Sequence, residues 1–147
     1  MKSIVISACL LGRECRYDGK SKPCQEAIEL GKKYKLIPIC PEVDGGLPTP
    51  RVPSERIGAR VMMRDGSDVT ENYNKGARAA LKACLDNDCN IAVLKERSPS
   101  CGKGAIYDGT FTGTLTVGNG VAAELLIANG ISVYGESEIY KLLEENA

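Results

Sequence analysis

The chain has no histidine, no tryptophan and a single phenylalanine among its 147 residues. Without histidine there is no Cys–His or Ser–His nucleophile pair, no His-containing zinc site and no imidazole base. Acid–base work must fall to Asp, Glu, Lys, Tyr, Cys or water. So few aromatic rings leave no stacking platform for single-stranded nucleic acid. An excess of charge is also missing: Lys plus Arg number 19 and Asp plus Glu number 19. A net charge of zero gives no global attraction to nucleic acid or to a membrane surface. No apolar run approaches the ~20 residues needed to span a bilayer. The opening Met1-Lys2-Ser3-Ile4 has neither the length nor the cleavage pattern of a signal peptide. These absences predict a soluble cytoplasmic protein with no nucleic-acid and no membrane partner.

What the sequence does have is cysteine. Seven cysteines without a secretion signal, an odd number, argue against a disulfide framework. Reduced thiols are then free for metal ligation or catalysis. Three of them follow apolar, strand-like runs. Cys9 closes Ser3-Ile4-Val5-Ile6-Ser7-Ala8, and Cys40 closes Leu36-Ile37-Pro38-Ile39. Cys101 follows Ile91-Ala92-Val93-Leu94 by way of the turn Glu96-Arg97-Ser98-Pro99-Ser100. If those runs are parallel strands of one sheet, the three sulfurs gather at the edge where open α/β sheets bind ligands.

The remaining pattern supports such a sheet. Strands are expected at 3–8, 36–40, 91–95 and 131–134. Helices are expected at 23–34, with Pro23 at the first turn, and at 72–85, 119–128 and 138–145, the last capped by Ser137. Residues 41–58 hold four prolines and three glycines, so they read as a long irregular loop of functional type. Residues 59–64 read as a short edge strand, Thr70 as a weak cap, and 107–111 as a small turn or hairpin. The alternation predicts a three-layer, Rossmann-like α/β fold with a mainly parallel four-stranded central sheet. With no repeat, linker or low-complexity segment, residues 1–147 read as one domain.

Cysteine is also a common small core residue. That reading suits Cys84, on the apolar face of a helix, and Cys24 and Cys89, near helix ends. It suits Cys9, Cys40 and Cys101 less well, because they sit among Pro, Gly and Ser. Cys15 is open: as a fourth ligand it would give a closed zinc or an electron-transfer cluster. Three ligands would instead leave an open metal position. Glu42, in Cys40-Pro41-Glu42, is either a solvated loop carboxylate or the nearest proton donor or acceptor. Ser98 is a turn former or a hydroxyl aimed at a ligand. Gly45, Gly46 and Gly102 either admit close backbone approach to a ligand or make turns. Arg13, Arg16 and Arg51 read first as surface or loop-anchoring ion pairs.

Four segments in order carry a resemblance. Ser7-Ala8-Cys9-Leu10-Leu11-Gly12, Cys15-Arg16-Tyr17-Asp18-Gly19, Cys40-Pro41-Glu42-Val43 with Gly45-Gly46-Leu47-Pro48, and Ser98-Pro99-Ser100-Cys101-Gly102 resemble the thiouracil desulfidase family. The chain looks like its short, single-domain form. The resemblance implies a [4Fe–4S] cluster held by Cys9, Cys40 and Cys101, with one iron lacking a protein ligand. It implies a thiolated small molecule of the thio-nucleobase kind as substrate, hydrolysed from C=S to C=O with release of hydrosulfide. Glu42 matches the family's acid–base carboxylate and Ser98 its substrate-contacting hydroxyl. Three other readings stand beside it. One is a non-catalytic zinc or iron–sulfur module for metal or redox sensing, and another a sulfur-transfer enzyme using the same cluster. The third is a cluster-free nucleobase enzyme of the α/β class.

Overall fold

The computed structural model describes residues 2–145. In chain order its elements are β1 (Ser3–Ser7), α1 (Gln25–Leu30), β2 (Lys35–Ile39), α2 (Pro41–Asp44), β3 (Ser54–Ile57), β4 (Arg60–Met63), α3 (Thr70–Asp86), β5 (Ile91–Leu94), β6 (Ala105–Tyr107), β7 (Leu115–Val117), α4 (Val121–Ala128), β8 (Ser132–Gly135) and α5 (Ile139–Glu145). Short 3₁₀ turns at Ala8–Leu11 and Glu136–Glu138 follow β1 and β8.

The expected sheet is present and wholly parallel, with strand order β2-β1-β5-β8. Its two central strands, β1 and β5, are mostly β-branched and aliphatic and are buried on both faces. Alternation along them sorts the core. Ile4, Ile6 and Val93 pack with Ala27 and Leu30 of α1 and with Ile139 and Leu142 of α5. Val5, Ala92 and Leu94 point the other way, onto Ala77, Ala80 and Cys84 of α3 and Ala122, Ala123 and Leu126 of α4. Each fully buried Ile or Leu contributes about 1.5–3 kcal/mol, so this double-sided core holds the sheet edge rigid. From β1 the chain crosses to β2 on one side. From β2 it returns past β1 to β5 on the other. The carboxyl ends of β1 and β5 therefore flank a switch point, where such sheets open a crevice.

The structure corrects several local expectations. The first helix spans Gln25–Leu30 rather than 23–34, because Cys24 is its extended N-cap and Gly31 its C-cap. Residues 41–58 are not wholly irregular. Pro41 starts the single-turn α2, and β3 pairs antiparallel with β4. The expected edge strand at 59–64 thus belongs to a hairpin separate from the central sheet. A second hairpin, β6–β7, brackets the turn at 108–114. Ser137 lies inside the 3₁₀ turn before α5, and it is Glu138 that caps, accepting the Gly135 N–H at 3.0 Å. Thr70 is the first residue of α3, after the N-cap Val69.

Candidate active site

The carboxyl edge of the sheet opens into a cavity of about 700 Å³ lined by Cys9, Cys15, Cys40, Cys101, Glu42 and Ser98, among others. Cys9 sits in the 3₁₀ turn directly after β1, and Cys40 is the N-cap of α2 directly after β2. Cys101 comes from the loop after β5. That loop is tied to β1 where Lys95 N–H donates to Ser7 Oγ at 2.9 Å. The two hairpins wall the opposite side through Ser54 and Glu55 of β3, Tyr107, and Phe111. Glu55, buried, holds those hairpins together by accepting the N–H groups of Gly109 at 2.9 Å and Phe111 at 3.1 Å.

The sulfurs feel one another. Cys9 is pushed up to about 12, first by burial and then by the charges of Cys101 and Cys40. Cys101 is also pushed up to about 12, chiefly by burial, against hydrogen bonds from Ser7 and Ser100 that stabilise its thiolate. A hydrogen bond with the Cys15 thiol, then burial, raises Cys40, while the same bond lowers Cys15. These are not the exposed, acidified thiols of a cysteine nucleophile. Cys9 and Cys101 are buried and Cys40 is half-buried, and all three are mutually repelling groups that a metal cation would deprotonate and stabilise. The donor set, sulfur only, suits a soft centre such as an iron–sulfur cluster. Among the described residues no group of three or more Cys, Asp or Glu is arranged to hold a metal ion directly. Cys9, Cys40 and Cys101 line one cavity.

Glu42 projects from α2 into the same cavity. Arg51 donates from Nε at 3.0 Å to its Oε1, and Nη2 lies 3.0 Å from the same oxygen as an ion pair. Oε2 accepts from the hydroxyls of Ser100 at 3.0 Å and Ser98 at 3.3 Å. Ser98 has a second task, since its Oγ accepts the N–H groups of Ser100 and Cys101, each at 3.1 Å. Its turn-forming and site-facing readings therefore both describe it. The three-residue connection from Ser98 to Cys101 is shaped by that oxygen.

A family model described as 2-thiouracil desulfurase matches residues 4–138. This chain belongs to that family. The resemblance drawn from the four motifs is thereby borne out. A solved structure described as a [4Fe-4S]-dependent thiouracil desulfidase, TudS, matches with a TM-score of 0.93 and 44% identity, covering 99% of this chain and 97% of that one. YbbK, an uncharacterized protein of Bacillus subtilis (strain 168), is 40% identical over 150 residues, spanning 95% of this chain and 99% of its own length.

In this 2-thiouracil desulfurase family member the structure brings together all five residues singled out from the sequence: Cys9, Cys40, Cys101, Glu42 and Ser98. Cys15 joins them: its carbonyl accepts from Arg51 Nη2 at 2.9 Å and its thiol meets Cys40. Arg51 is an anchoring ion pair as read, yet its partner is the site carboxylate. Arg16 lines the cavity. Gly45 serves packing, since a Cβ there would lie 2.0 Å from the Asn72 carbonyl. Ser100 escaped the sequence reading. It looks like a spacer between Pro99 and Cys101, and only its burial and its bond to Glu42 mark it. No helix among the described residues is long and apolar enough to cross a membrane.

Proposed function

We propose that this chain is a [4Fe–4S]-dependent desulfidase that hydrolyses a thiocarbonyl of the thiouracil kind to a carbonyl, releasing hydrosulfide. Cys9, Cys40 and Cys101 hold the cluster, Glu42 moves the proton, and Ser98 contacts the substrate. The observation that carries this reading is one cavity lined by three mutually repelling thiols, two buried and one half-buried, and a carboxylate braced on both oxygens. Held by three cysteines, such a cluster supplies a soft Lewis acid, an iron without a protein ligand, for the substrate's sulfur.

The protein's own part is positioning and proton transfer. Arg51 occupies Glu42 Oε1 and fixes the carboxylate plane, so Oε2 is the oxygen left to take a proton from water. At that oxygen the two serine hydroxyls are exchangeable donors. The longer Ser98 bond is the one a substrate heteroatom displaces. A cavity of about 700 Å³ is of the size that encloses a small heterocycle. Domain organisation follows the same reading: residues 1–147 act as one unit around this site.

The test is anaerobic reconstitution with iron and sulfide, followed by spectroscopy and a hydrosulfide assay with 2-thiouracil. Each of Cys9→Ala, Cys40→Ala and Cys101→Ala loses the cluster absorbance. Glu42→Gln retains it and loses turnover by about 100-fold or more, the scale of a proton-transfer residue. A cluster-replete, fully active Cys40→Ala protein would sink the scheme. The contact between Cys15 and Cys40 favours a second reading, a four-cysteine saturated site for electron transfer or sensing. Cys15→Ala separates them: the desulfidase keeps its cluster and turnover, whereas the saturated site loses its cluster. Sulfur recovered on an added acceptor instead of as free hydrosulfide would indicate sulfur transfer.

A further inference from the structure

The one phenylalanine of the chain stands in the wall of the cavity in a conformation such residues avoid. Phe111 has a φ of +58°, in the left-handed region that is a genuine outlier for a bulky side chain. Its surroundings impose that conformation. The buried Glu55 carboxylate accepts the N–H groups of Gly109 and Phe111 on one oxygen. Asp108 Oδ1 accepts the Thr110 N–H at 3.0 Å and the Thr110 hydroxyl at 2.6 Å. Hydroxyl contacts continue from Thr110 to Thr112 at 2.6 Å and from Thr112 to Thr114 at 2.9 Å. Gly109 lies so close to β3 that a Cβ would fall 2.2 Å from Ile57 Cγ1. Strain held in place by so many fixed partners gathers at ligand clamps and active sites.

We propose that the Phe111 ring is the stacking surface for the planar heterocycle of the substrate, which lies on the ring face opposite Arg64. The identity of the heterocycle rests on the desulfidase reading; the placement of the ring rests on the turn. Phe111 is half-buried and lines the cavity together with the three cysteines and Glu42. The Arg64 guanidinium lies over the ring, 5.6 Å from its centroid. That cation takes one face, and among the described residues no second cation is stacked on the other. A pyrimidine-like ring brings a π face of its own, and stacking on an aromatic side chain tolerates changes in ring substituents. The cysteines, Glu42 and Ser98 deal with the thiocarbonyl end, so the remainder of the heterocycle needs a different hold. A ring already locked by its turn loses little freedom on binding.

Backbone contacts set the ring against the chemistry. Phe111 sits in the turn between β6 and β7, and Ile106 of β6 bridges in parallel to Arg97, the neighbour of Ser98. A Cβ on Gly102, next to Cys101, would fall 2.8 Å from Ile106 Cγ2. The hairpin that carries Phe111 is therefore packed directly on the loop that carries Ser98 and Cys101. Phe111 touches the heterocycle and not the bond that breaks, so it holds substrate and transition state alike. Losing such uniform binding raises KM and leaves kcat unchanged.

Two measurements test this. Because Phe111 is the only phenylalanine, incorporation of para-fluorophenylalanine labels this one position and gives a single fluorine resonance. The labelled, reconstituted protein is titrated anaerobically with 2-thiouracil, which moves the resonance to saturation. Thioacetamide, a thiocarbonyl without a ring, leaves it in place. A resonance unmoved by millimolar 2-thiouracil, or moved equally by thioacetamide, overturns the proposal. A shift without release of hydrosulfide leaves the stacking intact and counts against the desulfidase reading alone; hydrosulfide released with an unmoved resonance does the reverse. In the active enzyme, Phe111→Leu keeps an apolar side chain and loses the π face. KM for 2-thiouracil then rises about tenfold, the scale of one lost stacking partner, while kcat and cluster absorbance stay unchanged. Phe111→Tyr keeps the ring and restores the low KM. Wild-type KM in folded, cluster-loaded Phe111→Leu overturns the role in substrate binding.

Discussion

At the scale of single residues, the site turns on how one guanidinium is used. Arg51 spends its donors on Glu42 Oε1, the Cys15 carbonyl at 2.9 Å, the Pro48 carbonyl at 3.1 Å and Thr49 Oγ1 at 3.2 Å. Its side chain is 3% exposed and that of Glu42 is 14% exposed. An ion pair this buried adds little compared with an apolar pair, but removing one partner strands the other charge. Arg51→Ala is therefore expected to destabilise the apoprotein by roughly 3–5 kcal/mol, read from urea unfolding. Arg51→Lys restores the charge but not the planar fork, so it recovers only part of that loss. Of this arrangement the sequence shows the parts and not the joins. Cys9, Cys40 and Glu42 are legible because they lie next to strand ends, where chemistry gathers in α/β sheets. Arg51 is nine residues from Glu42 across a loop of prolines and glycines, and no periodicity links the two. Ser100 is hidden for a related reason: what distinguishes it is burial against residues distant in the chain.

At the scale of elements, the placement of Glu42 depends on two helices touching through glycine. The core-facing row of α3 includes Tyr73, Gly76, Ala77, Ala80 and Cys84, a helical spacing of small residues after one large one. Small residues let α2 and α4 approach closely. Gly76→Ala would put a methyl group 1.8 Å from the Pro41 carbonyl, a backbone atom that cannot rotate aside. The expected cost is at least the 1–3 kcal/mol typical of overpacking, roughly, seen as a lower Tm. Because α2 follows Cys40 directly and carries Glu42, in the cluster-loaded enzyme proposed above the displaced helix should also release iron faster, measured by transfer to a chelator. A stable Gly76→Ala protein with unchanged iron retention would show that α2 is not positioned in this way. The four central strands were legible from apolar runs bounded by turns, and the long helix from its period. The single-turn α2, β3 and β7 were not, though β4 was expected as an edge strand and 107–111 as a small turn or hairpin. Each holds three or four residues per element, too few to show a period, and β3 and β4 exist through pairing with each other.

At the scale of the molecule, the loop carrying Ser98, Ser100 and Cys101 is pinned by the last β–α unit of the chain. Lys95 Nζ pairs with Glu136 at 2.8 Å, and Lys103 Nζ with Glu138 at 3.1 Å, so ion pairs bracket the loop on both sides. The far end of the sheet order thus supports the cavity at its switch point, and acid should loosen it. Glu138 is the clearest reporter. Its carboxylate accepts the Gly135 N–H and meets both Lys103 and Lys141. The hydrogen bond from Gly135, then those from the two lysines, outweigh burial and lower it from the usual 4.5 to about 2. A depressed carboxylate favours the folded state at every pH above its unfolded value. That contribution fades as pH falls from about 4.5 toward about 2, where both states become protonated. Fully expressed, the shift would amount to roughly 3 kcal/mol. The side chain is 24% exposed, and solvent screening brings the expected figure nearer to about 1–2 kcal/mol. Glu138→Gln should therefore be less stable than wild type at neutral pH by about that amount. The two unfolding curves should converge as the solution is acidified through that window. A gap between them that is independent of pH would mean that Glu138 acts through packing and not through its charge.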